Sequence, residues 1–221
     1  MGAGAVLDRF RQIEPKVLIA VNGTNWAGKE IDCIQTVQEL RAGLPSLQHV
    51  IGVHYLKSAA PLPDATPFEQ ACGTSGAEID AFQPEWVPFD HPLWILYSSG
   101  TTGLPKAIVH SHGGILLESC VAALHVDVGP SYADNTRGQR FCWYSSTGWM
   151  MWNFQVGGLL TGTTCVIFDG NPAGLRSNPD WSTLWRFAAR HKLHFLGAGA
   201  ALWAACKKAG VELADCGDLS R

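Results

Sequence analysis

The sequence predicts an α/β fold of Rossmann-like βαβ layers on a mostly parallel sheet, and three observations carry that reading. Short runs rich in Val, Ile and Leu recur along the 221 residues. Longer segments with helical spacing separate them. A loop dense in Gly, Ser and Thr falls where one of the apolar runs ends, the place where such sheets present their turns.

Taken in order, Lys16 to Val21 reads as a buried strand. Glu30 to Leu40 spaces Ile31, Ile34, Val37 and Leu40 as a helix, and His49 to Tyr55 returns as a strand, which completes a βαβ unit. From Leu56 to Pro92, prolines at 61, 63, 67, 84, 88 and 92 interrupt every periodic pattern among many Asp and Glu residues. This stretch is expected to be an acidic connector with room for one short helix. Strands at Leu93 to Tyr97 and Ala107 to His110 then flank the Gly/Ser/Thr loop, followed by a helix from Gly114 to Leu124. Phe141 to Ser145 predicts a strand, Trp149 to Leu160 a helix, and Thr164 to Phe168 another strand. Pro179-Asp180 opens a helix through His191, Leu193 to Leu196 is strand-like, and Ala200 to Lys208 is helical.

Composition excludes several classes of function. Hydrophobic residues make up 47% of the chain, with nine Trp and nine Phe, enough to bury a core and to exclude disorder over most of its length. Sixteen basic against nineteen acidic residues give net −3, which argues against a nucleic-acid partner. Apolar runs such as Phe195 to Cys206 fall short of the roughly 18 residues that span a bilayer. Seven cysteines without a CxxC pair fit a reducing compartment, hence a cytosolic protein. Asn22-Gly23-Thr24 matches a glycosylation sequon but reads as a chance match in such a chain.

The strongest chemical signal is Tyr97-Ser98-Ser99-Gly100-Thr101-Thr102-Gly103-Leu104-Pro105-Lys106. Four Ser/Thr hydroxyls, two glycines and a lysine at a strand end supply what a polyphosphate needs: convergent N–H groups, short side-chain donors and a mobile cation. An ordinary polar turn would account for the glycines but not for the lysine or the density of hydroxyls.

Ser98 to Lys106 resembles the phosphate-binding signature of the AMP-forming acyl-CoA synthetases, the adenylate-forming enzymes. The lead-in Pro88-Phe89-Asp90-His91-Pro92-Leu93-Trp94 and the exit Ile108-Val109-His110-Ser111-His112-Gly113-Gly114 are similar to the acetoacetyl-CoA synthetase branch, as is Phe10-Arg11-Gln12-Ile13-Glu14-Pro15-Lys16-Val17-Leu18. A second block, Trp143 to Asn153, resembles the aromatic segment beside the family's carboxylate-substrate pocket. It implies Thr147, Gly148 and Trp149 as pocket residues, although Ser146-Thr147 lacks the Asp of acetyl-type relatives and Trp152-Asn153 replaces a Gly-His pair. Met150 and Trp152 read as core packing at helical spacing.

Two look-alikes compete with the phosphate loop. Gly23-Thr24-Asn25-Trp26-Ala27-Gly28-Lys29 has Walker spacing, but Glu30 stands where a Mg²⁺-binding hydroxyl belongs and would oppose the phosphates. Gly197-Ala198-Gly199 suggests a dinucleotide turn, yet Leu202 occupies the third glycine position, and a helix packed closely on a strand explains the glycines. His110 and His112, on leaving the loop, are either nucleotide neighbours or satisfied histidines, and neither they nor His191 and His194 complete a zinc site.

The resemblance implies a ligase that uses ATP with Mg²⁺ and coenzyme A to convert acetoacetate into acetoacetyl-CoA through an acyl-adenylate. It assigns the β- and γ-phosphates to Ser98, Ser99, Gly100, Thr101, Thr102, Gly103 and Lys106. It also implies that residues 1–221 form a partial AMP-binding domain, part of the large N-terminal domain of that fold. On that reading the C-terminal domain, with its adenylation lysine, is expected to be absent from these residues, so no catalytic set would be complete and little independent ligase activity is expected. Sheet neighbours would then be missing and apolar faces open. The alternatives are a non-catalytic remnant that binds nucleotide or a partner, and a P-loop NTPase built on Lys29.

Overall fold

A computed structural model describes residues 2–73, 75–98, 103–129 and 138–220. The chain divides into two compact units, Met1–Val87 with Tyr97–Val109, and Pro88–Leu96 with His110–Arg221.

The first unit opens with a helix that the sequence reading did not anticipate, α1 (Ala3–Phe10), whose Val6, Leu7 and Phe10 pack on the core. Strand β1 (Val17–Val21) follows, and its Leu18 is buried while Val17, Ile19 and Val21 are exposed. The expectation of a strand buried on both faces is therefore corrected: helices cover one face within this unit, and the apolar alternate face lies open.

The predicted helix from Glu30 begins too early. β2 (Gly23–Trp26) and β3 (Lys29–Asp32) form an antiparallel hairpin with Trp26 opposite Lys29. Ala27 and Gly28 close it with φ of 53° and 80°, the two-residue turn whose twist matches the flanking strands. Turn geometry thus overrides the periodicity of Ile31. The helix α2 (Ile34–Gly43) starts only after the Asp32 carboxylate accepts from the Ile34 N–H at 2.7 Å.

α2 lays Val37 and Leu40 against Leu18 and Val50, joined by Leu44 and Leu62. β4 (His49–Val53) pairs in parallel with β1, Leu18 opposite Val50, so the βαβ unit is present with a hairpin inserted in its crossover. The expected connector holds more order than one helix. It contains β5 (Thr66–Pro67), parallel to β4, then α3 (Phe68–Ala71) and α4 (Gly76–Ala81), the last closed by reciprocal Ser75–Glu78 capping.

Asn22 of the sequon is fully buried. Its amide accepts from the Leu56 N–H at 2.9 Å and donates to the carbonyls of Leu56 at 2.8 Å and Ala60 at 3.0 Å, fastening the connector to the end of β1.

Strands β6 (Pro92–Ser98) and β7 (Lys106–Ser111) pair as a two-stranded sheet. In the second unit, α5 (His112–Val126) precedes β8 (Arg140–Tyr144), α6 (Met150–Gly157) and a 3₁₀ turn over Gly158–Thr161. β9 (Thr164–Cys165) is shorter than predicted. β10 (Gly174–Leu175) and β11 (Asn178–Pro179) make a small antiparallel pair, then come α7 (Thr183–His191), β12 (Phe195–Ala198) and α8 (Ala200–Lys208). α7 starts later than Pro179-Asp180 suggested because the Asp180 carboxylate accepts from the Ser182 N–H and hydroxyl, a local turn that competes with helix.

The second sheet runs β12-β8-β9, all parallel, over a core of Cys142, Ala188 and Leu193. Gly197 lies beneath the Trp143 indole, where a β-carbon would overlap the ring. The glycine is structural, as the sequence suggested, but it accommodates a ring from the neighbouring strand rather than a helix.

Candidate functional site

The hydroxyl-rich loop connects the paired strands β6 and β7, with Ser98 as the last residue of one and Lys106 as the first of the other. Both are exposed, as is Gly103. Ser99, Gly100, Thr101 and Thr102 lie outside the described residues. The base of the loop is held inside the first unit. The Tyr97 hydroxyl donates to the Arg9 carbonyl at 2.8 Å, and the Gln12 amide donates to the Pro105 carbonyl at 2.8 Å. The Arg9 guanidinium stands 5.9 Å above the Tyr97 ring. Burial raises the Tyr97 pKa, with the nearby Arg9 charge acting against it, so the phenol is a neutral donor at physiological pH.

Arg9 was not singled out in the sequence, and Gln12 entered only within the stretch that resembles the family, with no role attached. The signal available was the spacing of Val6, Leu7 and Phe10, which predicts a helix before β1.

Thr147, Gly148 and Trp149 follow β8 in the second unit. Parallel register places Tyr144 opposite Ala198, so the segment after β8 and the Gly199 turn before α8 leave the same carboxyl edge of the sheet. That edge is where open α/β sheets bind ligands. Thr147 and Gly148 are exposed, and Trp149, which starts α6 with extended backbone, is 58% exposed. Met150 is also about half exposed, which corrects its assignment to the core, whereas Trp152 is partly buried. Behind them, Trp143, Phe141, Phe154 and Phe195 form an aromatic cluster with ring centroids 5.2–5.9 Å apart.

Gln155 is a fully buried polar side chain beside this cluster. Its side-chain carbonyl accepts from the Trp143 N–H and its amide donates to the Val166 carbonyl at 3.1 Å, so it bridges two neighbouring stretches of backbone. Sequence reading passed over it because a glutamine on an apolar helix looks like a surface residue.

The other candidates sort themselves out. Lys29 sits on a β-hairpin with no helix after the turn, so the Walker-like segment cannot cradle phosphates as a P-loop does. His112 is exposed and faces His91 with ring centroids 5.8 Å apart, and His110 is half-buried. His194 Nδ1 accepts from the Arg140 N–H at 3.1 Å, and the His191 carbonyl accepts from the Arg140 side chain at 2.6 Å, both structural roles. Among the described residues no three His, Cys, Asp or Glu gather as a metal site. All seven cysteines are free, and burial pushes the Cys142 thiol up to about 11, away from nucleophilic use. No helix among the described residues is long and apolar enough to cross a membrane.

Comparison with known proteins follows this geometry. The family described as AMP-binding enzyme matches residues 1–220. Acetoacetyl-CoA synthetase of Mus musculus is 36% identical over 206 residues, covering 90% of this chain and 29% of that protein. Acetoacetyl-coenzyme A synthetase of Rhizobium meliloti is 36% identical over 99% of this chain and 32% of its own length. The solved structure of acetoacetyl-CoA synthetase from Streptomyces lividans superposes with a TM-score of 0.83 at 49% identity, over 99% of this chain and 32% of that one. The chain spans about a third of the length of these relatives. A family match over nearly every residue, carried by the fold just described, establishes that the chain belongs to the AMP-binding enzymes.

Proposed function

We propose that this chain provides the phosphate-loop third of an ATP-dependent acid–thiol ligase that converts acetoacetate and coenzyme A into acetoacetyl-CoA in the cytosol. The observation that carries the reading is the loop from Ser98 to Lys106, delivered by two paired strands and braced on α1. The likeness to acetoacetyl-CoA synthetases along the whole chain supports the acyl substrate. Free cysteines support the reducing compartment.

In this reaction a carboxylate oxygen of acetoacetate attacks the α-phosphorus of ATP, the bond to the β-phosphate breaks, and pyrophosphate leaves. The coenzyme A sulfur, losing its proton, then attacks the acyl carbon and displaces AMP. Ser98, Ser99, Gly100, Thr101, Thr102 and Gly103 offer hydroxyl and backbone donors to the β- and γ-phosphates. Lys106 meets the charge that pyrophosphate gains as it departs, a stabilisation that grows towards the transition state. Thr147, Gly148 and Trp149 border the acyl group. Magnesium would arrive bound to ATP, and among the described residues no three His, Cys, Asp or Glu side chains gather to hold it. Adenylation would require groups beyond this set, so the chain alone is expected to bind nucleotide with little turnover.

The test is calorimetric titration of Mg·ATP and of pyrophosphate into the chain, beside acetoacetate-dependent exchange of pyrophosphate into ATP. Lys106→Ala is expected to weaken binding tenfold or more, the loss of about one charge-assisted contact worth roughly 1.5–3 kcal/mol, while Lys29→Ala leaves it unchanged. Unaltered binding in a folded Lys106→Ala protein would sink the loop assignment.

A further inference from the structure

The parallel pairing of β9 with β8 stops one rung early. The Thr164 N–H donates to the Gln139 carbonyl at 2.9 Å and the Val166 N–H to the Phe141 carbonyl at 2.8 Å, with Phe141 opposite Cys165. Rungs of a parallel ladder recur every second residue, so the next would run from the Trp143 N–H to the Val166 carbonyl. The Gln155 side chain stands in its place. Its Oε1 accepts from the Trp143 N–H and its Nε2 donates to the Val166 carbonyl at 3.1 Å, so one amide group is spliced into the ladder.

Backbone pairing does not require this glutamine. With an apolar side chain at 155, the Trp143 N–H and the Val166 carbonyl are free to bond each other and hold their strands at the usual separation of about 4.8 Å. What the interposed amide adds is distance: it keeps the two stretches apart at the carboxyl end of β8. Gln155 also belongs to α6, which Trp149 starts, while Trp143 is the last residue but one of β8. The bond between them therefore closes the root of the turn that carries Thr147, Gly148 and Trp149.

We infer that Gln155 is a positioning residue for the acyl site: it sets the span between β8 and the chain after β9, and with it the seat of Thr147, Gly148 and Trp149. This role rests on the reading of those three residues as the border of the acyl group. Gln155→Leu removes the spliced amide, lets Trp143 pair directly with Val166, and shifts the seat while the fold persists.

The experiment is calorimetric titration of acetoacetate, and separately of Mg·ATP, into the 221-residue chain and its variants. Gln155→Leu, and Gln155→Met with its unbranched side chain, are expected to weaken acetoacetate binding about tenfold and to leave Mg·ATP binding unchanged. A fold residue would move both affinities or neither. Trp149→Ala is expected to weaken acetoacetate binding as well. Binding lost in Trp149→Ala but kept in both Gln155 variants would overturn the role of Gln155 alone. Binding untouched by Trp149→Ala, or no acetoacetate binding by the parent chain, would overturn the acyl-site reading and the inference with it. Failure of both Gln155 variants to fold would make the glutamine a fold residue and overturn the assignment equally.

Discussion

The Tyr97 hydroxyl donates to the Arg9 carbonyl at 2.8 Å, which ties the strand that delivers the hydroxyl-rich loop to the last turn of α1. Residues 88 positions apart thereby share one hydrogen bond at the root of the candidate site. Tyr97→Phe keeps the ring beneath Arg9 and removes only the hydroxyl. It is expected to cost about 1 kcal/mol in urea unfolding and to weaken Mg·ATP binding several-fold through a looser loop base. Unchanged stability together with unchanged nucleotide affinity would show that this anchor does not frame the loop.

Asn22 offers a sharper loss. Its buried amide donates to the backbone carbonyls of Leu56 and Ala60, with that of Ala59 more distant, and its own oxygen accepts from the Leu56 N–H. Asn22→Asp removes both donors, faces carbonyls with an acceptor and buries a charge without a partner. A destabilisation of about 3 kcal/mol or more is expected, whereas Asn22 would be silent if it were the surface residue that a sequon implies. Equilibrium denaturation of the two proteins decides the matter.

These two residues show what a sequence displays and what it hides. Leu18, Val37, Leu40 and Val50 were legible because hydrophobic periodicity reports burial against a neighbouring layer, and the parallel β1–β4 pair follows from it. The hairpin from Gly23 to Asp32 was not, since Ile31 fits a helical spacing and only the positive φ at Ala27 and Gly28 betrays the turn. The loop from Ser98 to Lys106 stood out by composition, because hydroxyls, glycines and a lysine gather at a strand end, the pattern proposed above to hold phosphate. Its anchors Arg9 and Gln12 act through backbone carbonyls and a side-chain amide, which leave no compositional mark. Gln155 was invisible for a related reason: burial of a polar side chain is decided by tertiary partners, here Trp143 and Val166.

Gly197 and Trp143 make a coupled pair. A methyl group at Gly197 would enter the indole, and the indole cannot swing away because it stacks on Phe195 at 5.9 Å and meets Phe154 edge-on at 5.8 Å. Gly197→Ala is expected to cost about 1–3 kcal/mol as overpacking. In a Trp143→Leu background the same substitution is expected to cost less, and a double-mutant cycle measures the difference. Additive effects would mean that the two residues do not touch.

The Asp180–Arg186 ion pair sets a response to acid. The hydrogen bond from Arg186, helped by Ser182, lowers the Asp180 carboxyl from its ordinary 3.8 to about 2. A carboxyl held low in the folded state stabilises the protein at pH values above 3.8 and loses that contribution as pH falls through about 2, because the unfolded chain binds the proton first. Both side chains are about half exposed, so solvent screening limits the pair to the roughly 0.2–1 kcal/mol of a surface ion pair. Unfolding free energies of the chain and of Asp180→Asn are therefore expected to differ at pH 5 and to converge towards pH 2. A gap that stays constant across this range would assign the effect of Asp180 to its turn with Ser182 rather than to its charge.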